Sequence, residues 1–202
     1  MHLTNTSGSP TARIVEAATR CFARKGYSGT TIADIERDAG YSPRAGGTYR
    51  HFRSKRALLE AVIDAAVEGN EAMLDEMRAS PSTAPANASP ARIAEFIVRR
   101  ALSELDKQAE LFQIVFRDLD QFPDLLAKVR DGLGNATVAL ARGLAASNPD
   151  IDAEALAVVA VGPTIDFKIK QHMLGFTPLG ISEERFIAAW VKIFTPLYAG
   201  AL

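Results

Sequence analysis

Residues 44–55 are dense in side chains able to donate hydrogen bonds, among them Arg44, Thr48, Tyr49, Arg50, His51, Arg53 and Lys55. A guanidinium forms paired hydrogen bonds to guanine O6 and N7, while hydroxyl, imidazole and ammonium groups bind phosphate oxygens. Arg44 is the only long donor near the start of this run, which suits it to a base edge. Thr48 can reach a base or a phosphate. The donors from Tyr49 to Lys55 fall where phosphates should run. Thr31 adds a hydroxyl at what reads as a helix N-terminus, where free backbone N–H groups hold anions. Each residue also has a plainer role. Tyr49 and Phe52 can anchor a helix to the core, and His51 can be a surface or capping histidine. Arg20, Arg24 and Lys25 can be a solvated face, and Cys21 falls on an apolar stripe.

The charge distribution agrees with a polyanionic partner. Residues 1–56 hold ten Lys and Arg against four Asp and Glu, whereas residues 57–202 hold thirteen against twenty. A basic head on an acidic body expects the head to meet nucleic acid and the body not to. Catalysis has no visible carrier: no G-x-S-x-G, H-E-x-x-H, P-loop or G-x-G-x-x-G occurs in the chain. One cysteine and three scattered histidines exclude a cysteine-rich zinc site, so no metal and no cofactor is expected. The longest uncharged stretch, residues 79–91, is rich in Ser, Pro and Ala and cannot span a bilayer. The first residues lack a basic segment followed by an apolar one, so no secretory signal is expected. A reducing cytoplasm is the expected compartment.

The elements that must carry these donors all read as helices. Apolar residues recur at three- and four-residue steps, and no segment alternates with period two. Ser9-Pro10 opens a first helix with Ile14, Ala18, Cys21 and Phe22 inside and Gly26 at its end. Thr31 and Asp34 read as a capping pair for a short second helix, which Gly40 stops. Ser42-Pro43 starts a third helix reaching residue 53, so that residues 39–42 form the turn of a helix-turn-helix. Such a third helix lies in the major groove. Gly46 and Gly47 weaken it, and they let the backbone approach DNA closely. Ser54, Ser89, Pro123, Asp152 and Ser182 open later helices, and Pro163 should kink or divide the one after Asp152. The expected fold is all-α, with about nine helices. Residues 1–8 would form an arm, residues 9–55 a helix-turn-helix domain and residues 56–202 a helical body.

Residues 11–63 closely resemble the N-terminal domain of TetR-family transcriptional regulators. The likeness rests on Gly26, Tyr27, Thr30, Thr31, Asp34, Ile35, Ala39, Gly40, Ser42, Tyr49, His51, Phe52, Ser54, Lys55 and Leu58. It extends loosely to the C-terminus through helix number and length. One departure is that residues 43–48 make the interval from Ser42 to Tyr49 longer than the commonest family pattern. The resemblance implies a candidate DNA-binding set of Thr30, Thr31, Ser42, Pro43, Arg44, Ala45, Gly46, Gly47, Thr48, Tyr49, His51 and Lys55. It also implies a homodimer formed through the last two long helices. The final helix carries two adjacent apolar stripes, from which Phe186, Trp190, Ile193, Phe194 and Leu197 are the candidate dimer contacts.

The family usually places a ligand pocket among its middle helices. The candidates here are Phe96, Phe112, Phe116, Arg117, Phe167 and His172, for an unknown small-molecule effector of apolar or amphipathic character. The segment Phe116–Asp120 could bind such a ligand or simply tie two helices together, and the latter is preferred. Together these features predict a dimeric repressor on palindromic double-stranded DNA, with no membrane partner. An architectural helix-turn-helix protein and an all-helical enzyme are the competing classes. The large body with a dimer-like end disfavours the first, and the missing catalytic motifs disfavour the second.

Overall fold

The computed structural model describes residues 9–42, 48–79, 88–147 and 149–199. Among them are eight α-helices: α1 (Pro10–Gly29), α2 (Ile32–Asp38), α3 (Lys55–Ala79), α4 (Pro90–Lys107), α5 (Ala109–Asp118), α6 (Pro123–Ser147), α7 (Ala153–Leu174) and α8 (Glu183–Tyr198). Short 3-10 turns occupy Thr48–Arg50, Leu119–Gln121 and Pro178–Gly180. The described part of the expected third helix is the first of these turns. Pro43, Arg44, Ala45, Gly46 and Gly47 lie outside the described residues.

The local signals act as their chemistry dictates. Ser9 Oγ accepts the Ala12 N–H at 3.1 Å, with Pro10 at the first helical position. Thr31 and Asp34 form a reciprocal capping box on α2. Gly40, at φ +78°, closes α2 by placing the Tyr41 N–H on Glu36 O and its own N–H on Arg37 O. Asp152 and Ser182 cap α7 and α8 through side-chain oxygens. Pro163 neither divides α7 nor takes its backbone out of helical geometry.

The described residues form two compact units. One takes those up to Glu68 together with Glu110–Arg130, and the other takes Gly69–Ala109 and those from Asp131 onward. In the first, α1 and α2 pack together. Ile14, Ala18, Cys21, Phe22, Ile35, Leu58, Leu59 and Ile63 are buried there, as are Ile114, Leu119 and Leu125. Arg20 and Arg24 both reach Asp38 at 2.7 Å, and Lys25 reaches Asp34 at 2.9 Å, so these cations fasten α2 to α1. Burial and then the Asp38 charge push the Cys21 thiol above its ordinary pKa, although Arg24 donates to its sulfur.

In the second unit α4 packs on α7 and α8. Its core joins Val98 and Leu102 of α4, Ala157, Ala160 and Phe167 of α7, and Ile187, Trp190, Phe194 and Leu197 of α8. Lys168 of α7 is only 1% exposed. Its ammonium donates to Asp106 of α4 at 2.8 Å and to Glu183 of α8 at 2.6 Å. Burial opposes its charge, but the two carboxylates outweigh that and hold its pKa above the ordinary value. His172, one turn further along α7, meets the same Asp106 at 2.7 Å.

Candidate nucleic-acid interface

The first unit positions the donors that the sequence singles out, and it divides them into two groups. Thr30 is turned inward rather than toward a ligand. It is buried, and its hydroxyl lies on the carbonyls of Cys21 at 3.0 Å and Gly26 at 2.8 Å. α1 breaks at Gly26, whose φ of +75° and ψ of 167° suit glycine alone. Lys55 serves the same break. Its ammonium donates to Tyr27 O at 2.8 Å and Thr30 O at 3.0 Å and lies 4.3 Å from the centre of the Tyr27 ring. Tyr27 also packs edge-on against Phe122 at 4.8 Å. Thr30 and Lys55 therefore hold the fold at positions where direct contact with DNA was expected.

Thr48 corrects the sequence reading in the same direction. It is fully buried, so its side chain faces neither base nor phosphate, and its hydroxyl has no partner among the described residues. The residues after it do face solvent. Tyr49 is 60% exposed, and Arg50, His51 and Arg53 are exposed as well. Thr11 Oγ1 of α1 lies 3.2 Å from His51 Nδ1 and steadies the ring. Ser42 is exposed where the chain leaves the α2 turn. Thr31 is exposed, but its hydroxyl already donates to Asp34 at 2.8 Å and accepts the Asp34 N–H at 3.1 Å.

Charge pairing sharpens the picture. Arg20, Arg24, Lys25, Arg37 and Arg56 all contact carboxylates, at Asp38, Asp34 and Asp124. Lys25, followed by Thr31, holds the Asp34 carboxyl well below the usual range, and Arg24 does the same for Asp38. Arg13 donates to Ala39 O at 2.8 Å and lies over the Tyr41 ring. Arg50 and Arg53 have no carboxylate partner among the described residues. Two free guanidinium groups, a phenol and an imidazole thus share one short turn behind a capped helix. Groups of these types donate hydrogen bonds to phosphate oxygens.

One feature escapes the sequence reading, and a second agrees with the preferred reading of Phe116–Asp120 as a tie between two helices. Glu36 on α2 is buried to 2% exposure, and its carboxylate accepts the Thr48 N–H. Arg117 and Asp118, on α5, tie that helix to α1: Arg117 donates to Ala23 O at 2.8 Å, and Asp118 accepts the Tyr27 N–H at 2.9 Å. Both depend on contacts between residues far apart in the chain.

The remaining candidates scatter. Among the ligand set, Phe112 is buried and Phe116 exposed on α5 in the first unit. Phe96 is half-buried on α4 in the second. Phe167 is sealed in the core of the second unit, stacked on Phe186 at 4.5 Å, which leaves it no free face for a ligand. Of the dimer set, Trp190 is 4% exposed and donates to Ala160 O, and Phe194 and Leu197 are also buried. These three serve the core of their own unit instead of an outer surface, and only Ile193, at 67% exposure, faces solvent fully.

Comparison with known proteins places this geometry in context. Residues 14–62 match the family model described as bacterial regulatory proteins, tetR family. The HTH-type transcriptional regulator TtgR of Pseudomonas putida is 27% identical over 175 residues, covering 81% of this chain and 80% of that protein. The fold is similar to that of the fatty acid degradation regulator FadR from Bacillus halodurans, with a TM-score of 0.67 at 19% identity over 96% of this chain and 97% of that one. It is also similar to a transcriptional regulator from Aquifex aeolicus, with a TM-score of 0.63 at 21% identity over 94% and 99% of the two chains.

Proposed function

We propose, from the premise that this chain belongs to the TetR family of bacterial regulatory proteins, that it is a homodimeric repressor which a small molecule releases from a palindromic operator. The observation carrying the DNA-binding part is the turn that exposes Tyr49, Arg50, His51 and Arg53 while the other described cations of the head are engaged within the fold. Arg44 is the reader of a base edge, and the turn after Thr48 supplies the phosphate contacts that set the register.

Dimerisation is read from the second unit. Val158 and Val159 of α7 and Ile193 of α8 are large apolar side chains left in water on two adjacent helices. An exposed apolar face of this kind favours burial against a second copy. Trp190, Phe194 and Leu197 support that face from beneath. A two-fold pair of heads matches a two-fold DNA site.

The effector is apolar or amphipathic, with half-buried Phe96 and Ile97 of α4 as the apolar surface nearest to hand and His172 as a polar group. Release of DNA requires that it bind more tightly to the arrangement of the heads that fits DNA poorly. Among the described residues no helix is long and apolar enough to cross a membrane. The cytoplasm, where operator DNA lies, is the proposed site of action.

The test is enrichment of genomic fragments on the purified protein, followed by footprinting and sedimentation. A protected palindrome bound by two chains, with affinity falling steeply as salt rises, supports the reading. Equal binding to all sequences, or a single chain per site, overturns it.

A further inference from the structure

Two buried acceptors of the second unit face no donor. Gln108, the residue that caps α4, donates its Nε2 to Asn70 Oδ1 of α3 at 2.6 Å, and Asn70 is itself buried. The Oε1 of Gln108 is buried and has no partner among the described residues. Gln171 Oε1 on α7 is in the same position. Both glutamines lie beside one junction. Asp106, two residues before Gln108, meets Lys168 at 2.8 Å and His172 at 2.7 Å, and these two residues bracket Gln171 along α7. A buried oxygen without a donor carries a desolvation cost that an apolar side chain of the same shape avoids. Two such oxygens beside one junction therefore suit a ligand that brings donors with it.

The charges at the junction select among donors. The Lys168 ammonium is engaged by Asp106 and Glu183, and Arg100, two turns before Gln108 on α4, is also engaged. Neither cation is free to receive a carboxylate or a phosphate. An ammonium group, in contrast, meets two carbonyl oxygens, with the Asp106 carboxylate two residues from one of them. Leu105, Ile169 and Met173, half-buried and next to these residues in the chain, supply apolar surface for the rest of a ligand. We infer that Gln108 and Gln171 form a subsite for a protonated amine carried on an apolar body. The inference deepens the effector reading given above, on which it rests, by giving that effector a chemical class.

The test titrates hexylamine, hexanoate and hexan-1-ol into the full-length protein by calorimetry. The three share one apolar body and differ in the head group. Hexylamine should bind about tenfold more tightly than either of the others, the order expected for a charge-assisted hydrogen bond in a buried site. In Gln171→Leu that preference should vanish while the melting temperature stays at or above the wild-type value, because an apolar side chain replaces a buried acceptor that had no donor. Gln171→Glu keeps an acceptor and adds charge, so it should keep or widen the preference. Equal affinities for the three probes, no binding at millimolar concentration, or an unchanged preference in Gln171→Leu overturns the inference. So does a large fall in the melting temperature of Gln171→Leu, which would mark the side chain as a structural one. Affinity for the selected DNA is measured beside each titration. Hexylamine bound through Gln171 that leaves DNA affinity unchanged supports the subsite and overturns the effector reading, and the two failures are thereby distinguished.

Discussion

Asp118 accepts the backbone N–H of Tyr27 at 2.9 Å, directly after the glycine that breaks α1. The bond joins residues 91 positions apart in the sequence, and Asp118 is buried, so the amide released by the break is satisfied by an acid from α5. A Cβ on Gly26 would lie 3.2 Å from Arg117 Cδ and would occupy a backbone region that side chains avoid. Gly26→Ala should lower unfolding free energy by about 1–3 kcal/mol. Asp118→Ala should do so by about 1–3 kcal/mol through the orphaned amide. Denaturant titration of both variants checks this, and wild-type midpoints for both would show that the contact contributes nothing.

Lys55 and the exposed arginines should separate cleanly. Lys55→Met keeps the apolar stem but abandons two carbonyls, so stability should fall by about 1.5–3 kcal/mol. The salt dependence of DNA binding should scarcely change. Arg50→Ala and Arg53→Ala should leave stability within about 0.5 kcal/mol. Each should reduce the salt slope by about one. Binding curves across a salt series, beside thermal melts, decide the matter. The opposite pattern would return Lys55 to the phosphates.

These contrasts show where the sequence was readable. Ser9-Pro10, Thr31 with Asp34, Asp152 and Ser182 announce helix starts because a cap is a contact over three residues, and local chemistry settles it. Lys55 and Thr30 look like DNA ligands because nothing local reveals the carbonyls exposed by the break at Gly26. Glu36 was not singled out, because its buried partner, the Thr48 N–H, lies twelve residues on and nothing local reveals it. The two adjacent stripes that hold Trp190 and Leu197 on one side and Phe194 on the other were visible, but periodicity reports that a face is buried and not which chain buries it. Pro163 was expected to kink or divide its helix, and α7 runs through it undivided.

Acid should loosen the head through Asp38. The Arg24 guanidinium, with Arg20 beside it, holds its folded pKa below the ordinary value. The stability this pair contributes is therefore present above the unfolded pKa, near about 3.9, and is lost as pH falls through the folded one. Asp38→Asn should be less stable than wild type at neutral pH and should show a shallower decline below about pH 4. Melting temperatures between neutral and strongly acidic buffer test this, and parallel curves for the two proteins would contradict it.

Ile193 and Trp190 should fail in different ways. Ile193→Glu places a charge on an exposed apolar face, so the chain should stay folded and sediment as a monomer. Trp190→Ala empties a core site and removes the bond to Ala160 O, at a cost of about 3–5 kcal/mol. Sedimentation and calorimetry on the two variants distinguish them. A dimer that survives Ile193→Glu, Val158→Glu and Val159→Glu would remove α7 and α8 from the interface.

The sole thiol of the chain is enclosed and carries a raised pKa, so little of it exists in the nucleophilic form near neutrality. Maleimide dyes and spin labels will therefore pass over the native protein. A cysteine installed at an exposed site of the first unit, such as Ser28 on α1, becomes the single attachment point, with no background substitution required. Distance measurements between labelled copies can then follow the heads directly, in molecules that are otherwise unaltered.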